Sequence, residues 1–173
     1  MYKDLQEIVI SNTYTKRDFY HRLGRLSECL EKVFFSELSG NEDSEKLLFC
    51  IEYARKLNDP DFASVLQEWG VGVFKGMSAN NLYKRLEEAG AVYETLPELY
   101  LYVPVPLSDQ LIREVGVWCR QEIGERLMID LSIDERVVGG CALVWNDTYY
   151  DLSLRTRFGE QSGLVSKLIK AYE

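Results

Sequence analysis

Ile133-Asp-Glu-Arg-Val-Val-Gly-Gly-Cys-Ala-Leu-Val-Trp-Asn-Asp-Thr-Tyr-Tyr-Asp-Leu-Ser-Leu-Arg-Thr-Arg-Phe158 is the stretch that decides the fold of this chain. Gly139-Gly140 lets the backbone turn, or pass close to a neighbour, before a strand begins. Cys141 to Trp145 reads as that strand. Asn146 and Asp147 tolerate positive φ and suit a two-residue hairpin, so Tyr149 to Leu154 returns as the next strand. Asp151 and Ser153 then project on one side, and Arg155 and Arg157 open a closing helix or its approach.

Working outward, Leu127, Ile129, Leu131 and Ile133 alternate with Met128, Asp130 and Ser132, which predicts a strand with one buried face. Before it, Ser108 caps a helix whose apolar face is Leu111, Ile112, Val115, Trp118, Cys119 and Ile123, with Gly124 ending it. Earlier still, Leu99, Leu101, Val103 and Val105 alternate with Tyr100, Tyr102 and Pro104; the prolines mark the end of a strand or an edge position. Downstream, Leu164, Val165, Leu168, Ile169 and Tyr172 predict a C-terminal helix. Residues 96–173 therefore form a small α/β domain with a three- to four-stranded mixed sheet.

Ahead of residue 92 the period is that of helices. Residues 2–10 predict a short helix broken at Ser11-Asn12-Thr13. Thr15 caps a second, in which Phe19, Leu23, Leu26, Leu30, Val33, Phe34 and Leu38 make one apolar stripe about six turns long. A third starts near Asp43 or Ser44, with Leu47, Leu48, Ile51, Ala54 and Leu57 apolar. Pro60 sits in the first turn of a fourth that carries Phe62, Val65, Leu66 and Trp69. A last helix spans about Ser78 to Glu88, with Gly90 as its C-terminal cap. Short polar breaks make antiparallel neighbours, so residues 1–92 form a helical bundle. The fold class is α+β.

The composition narrows the function. A net charge of -8 argues against a nucleic-acid binder, which needs a basic surface to displace counterions. An acidic surface favours basic partner segments. The 4 cysteines, at 29, 50, 119 and 141, include no CxxC and read as buried free thiols of a reducing compartment. Met1-Tyr-Lys-Asp-Leu-Gln-Glu7 places carboxylates where a secretory signal would be basic and then apolar. No stretch approaches the roughly 18 apolar residues of a membrane span.

Chemistry-bearing patterns fail one by one. His21 lies off the apolar stripe without an evident partner. One histidine and scattered cysteines make no zinc site. Glu42-Asp43-Glu45 complements a helix dipole and lacks the ligand pattern of a calcium loop. Gly70-Val-Gly-Val-Phe-Lys-Gly76 misses the spacing of a phosphate loop and follows no strand. The expectation is no catalytic residue, no cofactor and no metal. The 11 tyrosines, several of them alternating with apolar residues, suit a protein interface as well as a core.

The quoted run resembles the C-terminal signature of the delta subunit of F-type ATP synthases, the family that includes the oligomycin-sensitivity-conferring protein. Asp134, Val137-Val138, Gly139-Gly140, Asp147, Asp151, Ser153, Arg155 and Arg157 fall in the family's places in order. Val105-Pro106-Leu107-Ser108 opens a helix as that family does, and the resemblance covers about residues 99–158. Asn146 stands where the family usually has glycine, and Tyr150 where it has a smaller apolar residue.

The resemblance implies a non-catalytic stator connector in the peripheral stalk of a proton-translocating ATP synthase. It implies that residues 1–92 hold the alpha subunits and residues 96–173 hold the b subunits of the stalk. It further implies one copy per complex on the cytoplasmic face of the membrane, without insertion into it. The alternative is a free-standing adaptor or regulatory module that shares the small α/β domain.

Overall fold

Caps and breaks set the helices. The computed structural model describes residues 4–155. The chain divides into two units, Met1–Leu96 and Pro97–Glu173. In the first, α1 (Leu5–Ser11) begins where the Asp4 carboxylate accepts from the Leu5 N–H at 2.8 Å, and it buries Leu5, Ile8, Val9 and Ile10. The Thr15 hydroxyl accepts from the Asp18 N–H at 3.1 Å and starts α2 (Lys16–Phe34), the backbone of the unit. Phe19, Leu26, Leu30 and Val33 are fully enclosed. The expected six turns stop short at Phe34. Ser36 accepts from the Leu38 N–H at 3.2 Å and turns Glu37–Gly40 into a 3-10 helix instead.

In α3 (Asp43–Lys56) the buried line runs through Lys46, Cys50, Ile51 and Ala54. Leu48 and Leu57, expected on the inner face, are exposed, because the line through Cys50 and Ala54 turns them outward. The Asp59 carboxylate accepts from the Phe62 N–H at 3.1 Å and caps α4 (Pro60–Trp69), with Pro60 in the first turn. Phe62, Val65, Leu66 and Trp69 are buried as the spacing predicts. Gly70–Phe74 continues as a 3-10 helix that buries Val73 and Phe74.

The last helix of the unit, α5 (Leu82–Ala91), starts later than Ser78 and ends later than Glu88. The Asn81 side chain ties the preceding loop into a turn, accepting from the Ser78 N–H and donating to the Gly76 carbonyl, both at 2.8 Å. Gly90 is not a cap but lies inside α5, where a Cβ would stand 3.2 Å from Leu23 Cδ2. Its missing side chain lets α5 approach α2.

The second unit has the order β1 (Glu98–Val103), α6 (Asp109–Glu122), β2 (Met128–Ile133), β3 (Ala142–Trp145) and β4 (Thr148–Asp151). The sheet order is β2-β1-β3-β4, with β1 parallel to β2 and antiparallel to β3. The architecture is α+β with a four-stranded mixed sheet. β1 is central, so Pro104 marks a strand end rather than an edge. Ser108 caps α6 by accepting from the Leu111 N–H at 3.3 Å. Leu99, Leu101, Val103, Cys119, Leu127 and Ile129 form the core.

Expectations for this unit need three corrections. On α6 only Gly116 and Cys119 are buried, while Leu111, Trp118 and Ile123 are exposed, because the short sheet meets little more than one helical row. In β2 both Met128 and Ile129 are buried and Ile133 is exposed, so burial follows position along the strand as well as its alternation. β4 ends at Asp151; the Leu152 N–H still bonds opposite Cys141 in the same register, and Leu154 turns away to bond Val138 and Gly139. The expected C-terminal helix lies outside the described residues, as does Arg157.

Candidate functional site

Strand ends gather the candidate residues. β1 and β2 finish, β3 starts and β4 ends at one end of the sheet, so loops 134–141 and 152–155 meet there. The Asp134 N–H donates to the Val103 carbonyl at 2.8 Å, and the Val137 N–H to the Asp134 carbonyl at 3.0 Å, which fixes the start of the first loop. The Asp134 carboxylate then takes a forked pair of hydrogen bonds from Arg136, Nε and Nη2 each at 2.9 Å. These bonds hold the Asp134 carboxyl below the usual carboxylate range and raise the Arg136 guanidinium.

The glycine pair explains itself by contact. Gly139 and Gly140 have φ of 64° and 73°, the left-handed region that glycine adopts without penalty. A Cβ on Gly140 would lie 2.5 Å from the Leu152 carbonyl oxygen, and one on Gly139 2.7 Å from Leu154 Cδ1. The two loops therefore run against each other with no room between them. The Leu152 N–H donates to Cys141 O at 2.9 Å and the Leu154 N–H to Val138 O at 3.1 Å, closing the seam. The Asp151 carboxylate accepts from the Ser153 N–H at 2.9 Å and turns the chain at the end of β4.

Asp134, Arg136, Val137, Tyr149, Asp151, Ser153 and Arg155 line one concavity of about 560 Å³. Of the residues singled out in the sequence, the structure brings together Asp134, Asp151, Ser153 and Arg155 around it, with Gly139 and Gly140 forming the seam behind. Asp147 is elsewhere. It sits with Asn146 in the β3–β4 turn, both at positive φ (59° and 48°), a four-residue strand away or roughly 13 Å. Its part is to reverse the chain. Sequence reasoning passed over Arg136, though it noted the tyrosines at 149 and 150 as suited to an interface; the Asp-x-Arg spacing at 134 and 136 is the signal that marks Arg136.

Among the described residues that line this concavity, Asp134 is taken up by Arg136 and Asp151 by the Ser153 N–H. Ser153 is 3% exposed, and its own unit carries no histidine, the chain's one histidine, His21, lying in the helical unit. His21 Nε2 is 3.3 Å from Asp59 Oδ2, which also faces Arg25 Nε at 3.4 Å, so the histidine joins a surface charge cluster over the start of α4. Among the described residues no group of three or more His, Cys, Asp or Glu could hold a metal ion. No helix among them is long and apolar enough to cross a membrane.

The helical unit holds a feature that periodicity does not reveal. Arg22 is 5% exposed on α2, its guanidinium donating to the Asn12 carbonyl, to Thr13 Oγ1 at 3.1 Å and to Asp61 Oδ2 at 3.1 Å. One cation thus ties the α1–α2 turn to α4. The cysteines are free thiols; Cys29, Cys50 and Cys119 are buried and Cys141 half-buried. A hydrogen bond with Cys29, together with burial, pushes the Cys50 thiol far above its ordinary range.

No family model matches the chain. It is 22% identical over 170 residues to the ATP synthase subunit delta of Glaesserella parasuis serovar 5, covering 91% of this chain and 96% of that protein. It is 26% identical over 163 residues to the ATP synthase subunit delta of Vibrio cholerae serotype O1, covering 86% and 91%. The chain is similar to bacterial delta subunits along most of its length. That similarity takes in both units, so the likeness is not confined to the loops that meet at the end of the sheet.

Proposed function

We propose that this chain is a delta-type, non-catalytic component of the peripheral stalk of an F-type ATP synthase, joining the catalytic head to the stalk and resisting rotation. The observation that carries the reading is the length of the similarity, which takes in both the helical unit and the α/β unit. Within the second unit, the gathering of Asp134, Asp151, Ser153 and Arg155 against the Gly139-Gly140 seam supports a shaped surface rather than a reaction centre. A connector needs contact area that lasts, on the order of 1,000 Å² or more per interface.

In this reading the helical unit binds N-terminal segments of the alpha subunits and the α/β unit binds the C-terminal end of the b subunits. The chain acts in one copy, peripherally, at the cytoplasmic face of the membrane, and meets no nucleic acid. Copurification tests it: tagged full-length chain should bring down alpha, beta and b chains at fixed stoichiometry. Removal of residues 97–173 should abolish recovery of b while the helical unit keeps its circular-dichroism spectrum and its hold on alpha. Full recovery of b by the truncated chain would end the proposed division of labour. Recovery of none of these chains by the intact protein would favour a free-standing adaptor.

A further inference from the structure

Among the described residues one helix, α6, serves a sheet of four strands. Four strands at about 4.8 Å make the sheet about 19 Å wide, against about 10–12 Å for a helix with its side chains. α6 is anchored over one half: Arg120 Nε donates to the Leu127 carbonyl at 3.1 Å, just ahead of β2. On that half Leu99 and Leu101 of β1 and Ile129 of β2 are 2%, 6% and 2% exposed. Leu143 and Trp145 of β3 pack against the same core but are only half-buried. Tyr150, opposite Leu143 on β4, is 46% exposed, and Leu152, bonded opposite Cys141, is 48% exposed.

Helix geometry says which flank of α6 borders the open half. Successive residues turn about 100°, so Trp118 stands roughly 200° from Arg120, on the opposite flank. Leu111, seven residues before Trp118, shares that flank; Leu111 is 41% exposed and Trp118 58%. Leu143, Trp145, Tyr150 and Leu152 therefore floor an apolar strip on the core side of β3 and β4, and Leu111 and Trp118 wall it. Two strands span about 10 Å, close to the 8–10 Å at which one helix packs beside another, so the strip takes a single helix in the layer of α6. Glu114 and Glu122 share the Leu111 and Trp118 flank, and Asp147 stands in the turn between β3 and β4. The Gln110 amide donates to Glu114 at 2.9 Å, a neutral donor that leaves the charge uncompensated. No lysine or arginine occupies β3 or β4. A second copy of the chain, with its net charge of -8, would set carboxylate against carboxylate.

We infer that the strip beside α6 seats one amphipathic helix of a partner chain, its apolar stripe lying on Leu143, Tyr150 and Trp118 and its lysine or arginine residues facing Glu114, Glu122 and Asp147. The inference deepens the stator reading and rests on it for the partner's identity, while the strip itself is chosen by burial, helix geometry and charge. The aromatic side chains supply rigid contact area, and the bordering carboxylates fix the orientation of the seated helix.

Four full-length proteins test it: wild type, Trp118→Ser/Tyr150→Ser in the strip, Glu114→Lys/Glu122→Lys on its border, and Tyr149→Ser, whose ring is 60% exposed on the opposite face of β4. Each is tagged, checked by thermal melting, and scored for recovery of the b and alpha chains separately. The expected result is a loss of b recovery of about tenfold or more in the strip variant, with alpha recovery and the Tyr149→Ser protein unchanged. The charge-reversed variant should lose b by about threefold or more, and undiminished recovery overturns the basic flank assigned to the partner. Loss of b in Tyr149→Ser but not in the strip variant overturns the choice of face and leaves the stator reading standing. Recovery of neither alpha nor b by the wild type overturns the stator reading, and the partner's identity with it. A photo-crosslinking phenylalanine placed at position 150 gives a second readout that does not depend on the stability of the variants. Cross-links to b are expected; cross-links only to residues of the same chain, or only to a second copy of it, overturn the proposal.

Discussion

The two units bury their apolar residues to very different degrees. Of the large hydrophobic side chains that remain exposed, six lie in residues 4–96 (Tyr20, Phe35, Leu48, Leu57, Val71 and Tyr83). Twelve lie in the shorter stretch 97–155, among them Trp118, Ile133, Tyr149 and Leu154. The helical unit encloses its apolar residues and adds an internal charged tie at Arg22. The α/β unit has one helix over one sheet among its described elements, and it leaves apolar side chains outward on α6, on the far sheet face and in the loops. Small sheets with one packed face leave part of their apolar surface outward. The comparison teaches that the helical unit encloses its apolar residues by its own packing, while the described elements of the α/β unit leave many of theirs outward.

The largest expected effect tests the internal tie. Arg22→Met removes the cation that satisfies Asn12, Thr13 and Asp61, and should cost about 2–4 kcal/mol of stability, since a buried network that loses one member leaves the others unpaired. Chemical denaturation monitored in the isolated helical unit reads this directly, and an unchanged midpoint would show that the unit does not depend on its charged tie.

Next comes the seam of the α/β unit. Gly140→Ala sets a methyl group 2.5 Å from the Leu152 carbonyl at a backbone angle that alanine disfavours, and should cost about 2–3 kcal/mol. Hydrogen exchange should then rise at Leu152 and Leu154 with no change in the helical unit. A rise spread over both units would break the comparison.

Thiol chemistry sharpens it further. Cys141 is half-buried and should react first with a colourless disulfide reagent under native conditions, while Cys29, Cys50 and Cys119 wait for unfolding. Burial raises the Cys141 and Cys119 thiols too, so even the first reaction is expected to be slow at neutral pH.

The smallest effect is a titration. Hydrogen bonds from Arg136 hold Asp134 below the ordinary carboxylate range, so the folded protein favours the ionised form. The associated stability is present above the unfolded carboxylate pKa of about 3.9 and is lost as pH falls through the lower folded value. Arg136→Ala should move the Asp134 carboxyl resonance titration upward in NMR, toward the ordinary range. No movement would mean that the forked pair does not form in solution.

Much of this was legible in the sequence because the signals are local. Strand alternation at Leu99 to Val103, the Asn146-Asp147 hairpin, the hydroxyl caps at Thr15 and Ser108, and Pro60 at a helix start all depend on residues within a few positions. What was not legible depends on distant partners. Gly90 looks like a cap until Leu23 is beside it. Arg22 looks like a surface charge until the Asn12 carbonyl and Asp61 surround it. Leu111 and Trp118 look like core until the buried row of α6 is seen to run through Val115, Gly116 and Cys119. At the candidate site, the residue pattern marked Asn146-Asp147 as a turn, while the placing of Asp134, Asp151, Ser153 and Arg155 around one concavity depends on loops that meet only in the folded sheet.

The three tryptophans divide between the units, Trp69 in the helical one and Trp118 with the half-buried Trp145 in the other. Trp69 is enclosed in the helical unit, while Trp118 stands 58% open to water on the other. Acrylamide should therefore quench Trp118 first, Trp145 more slowly and Trp69 last. Light alone can then follow whether a bound partner shields one half of the molecule while the other stays as it was.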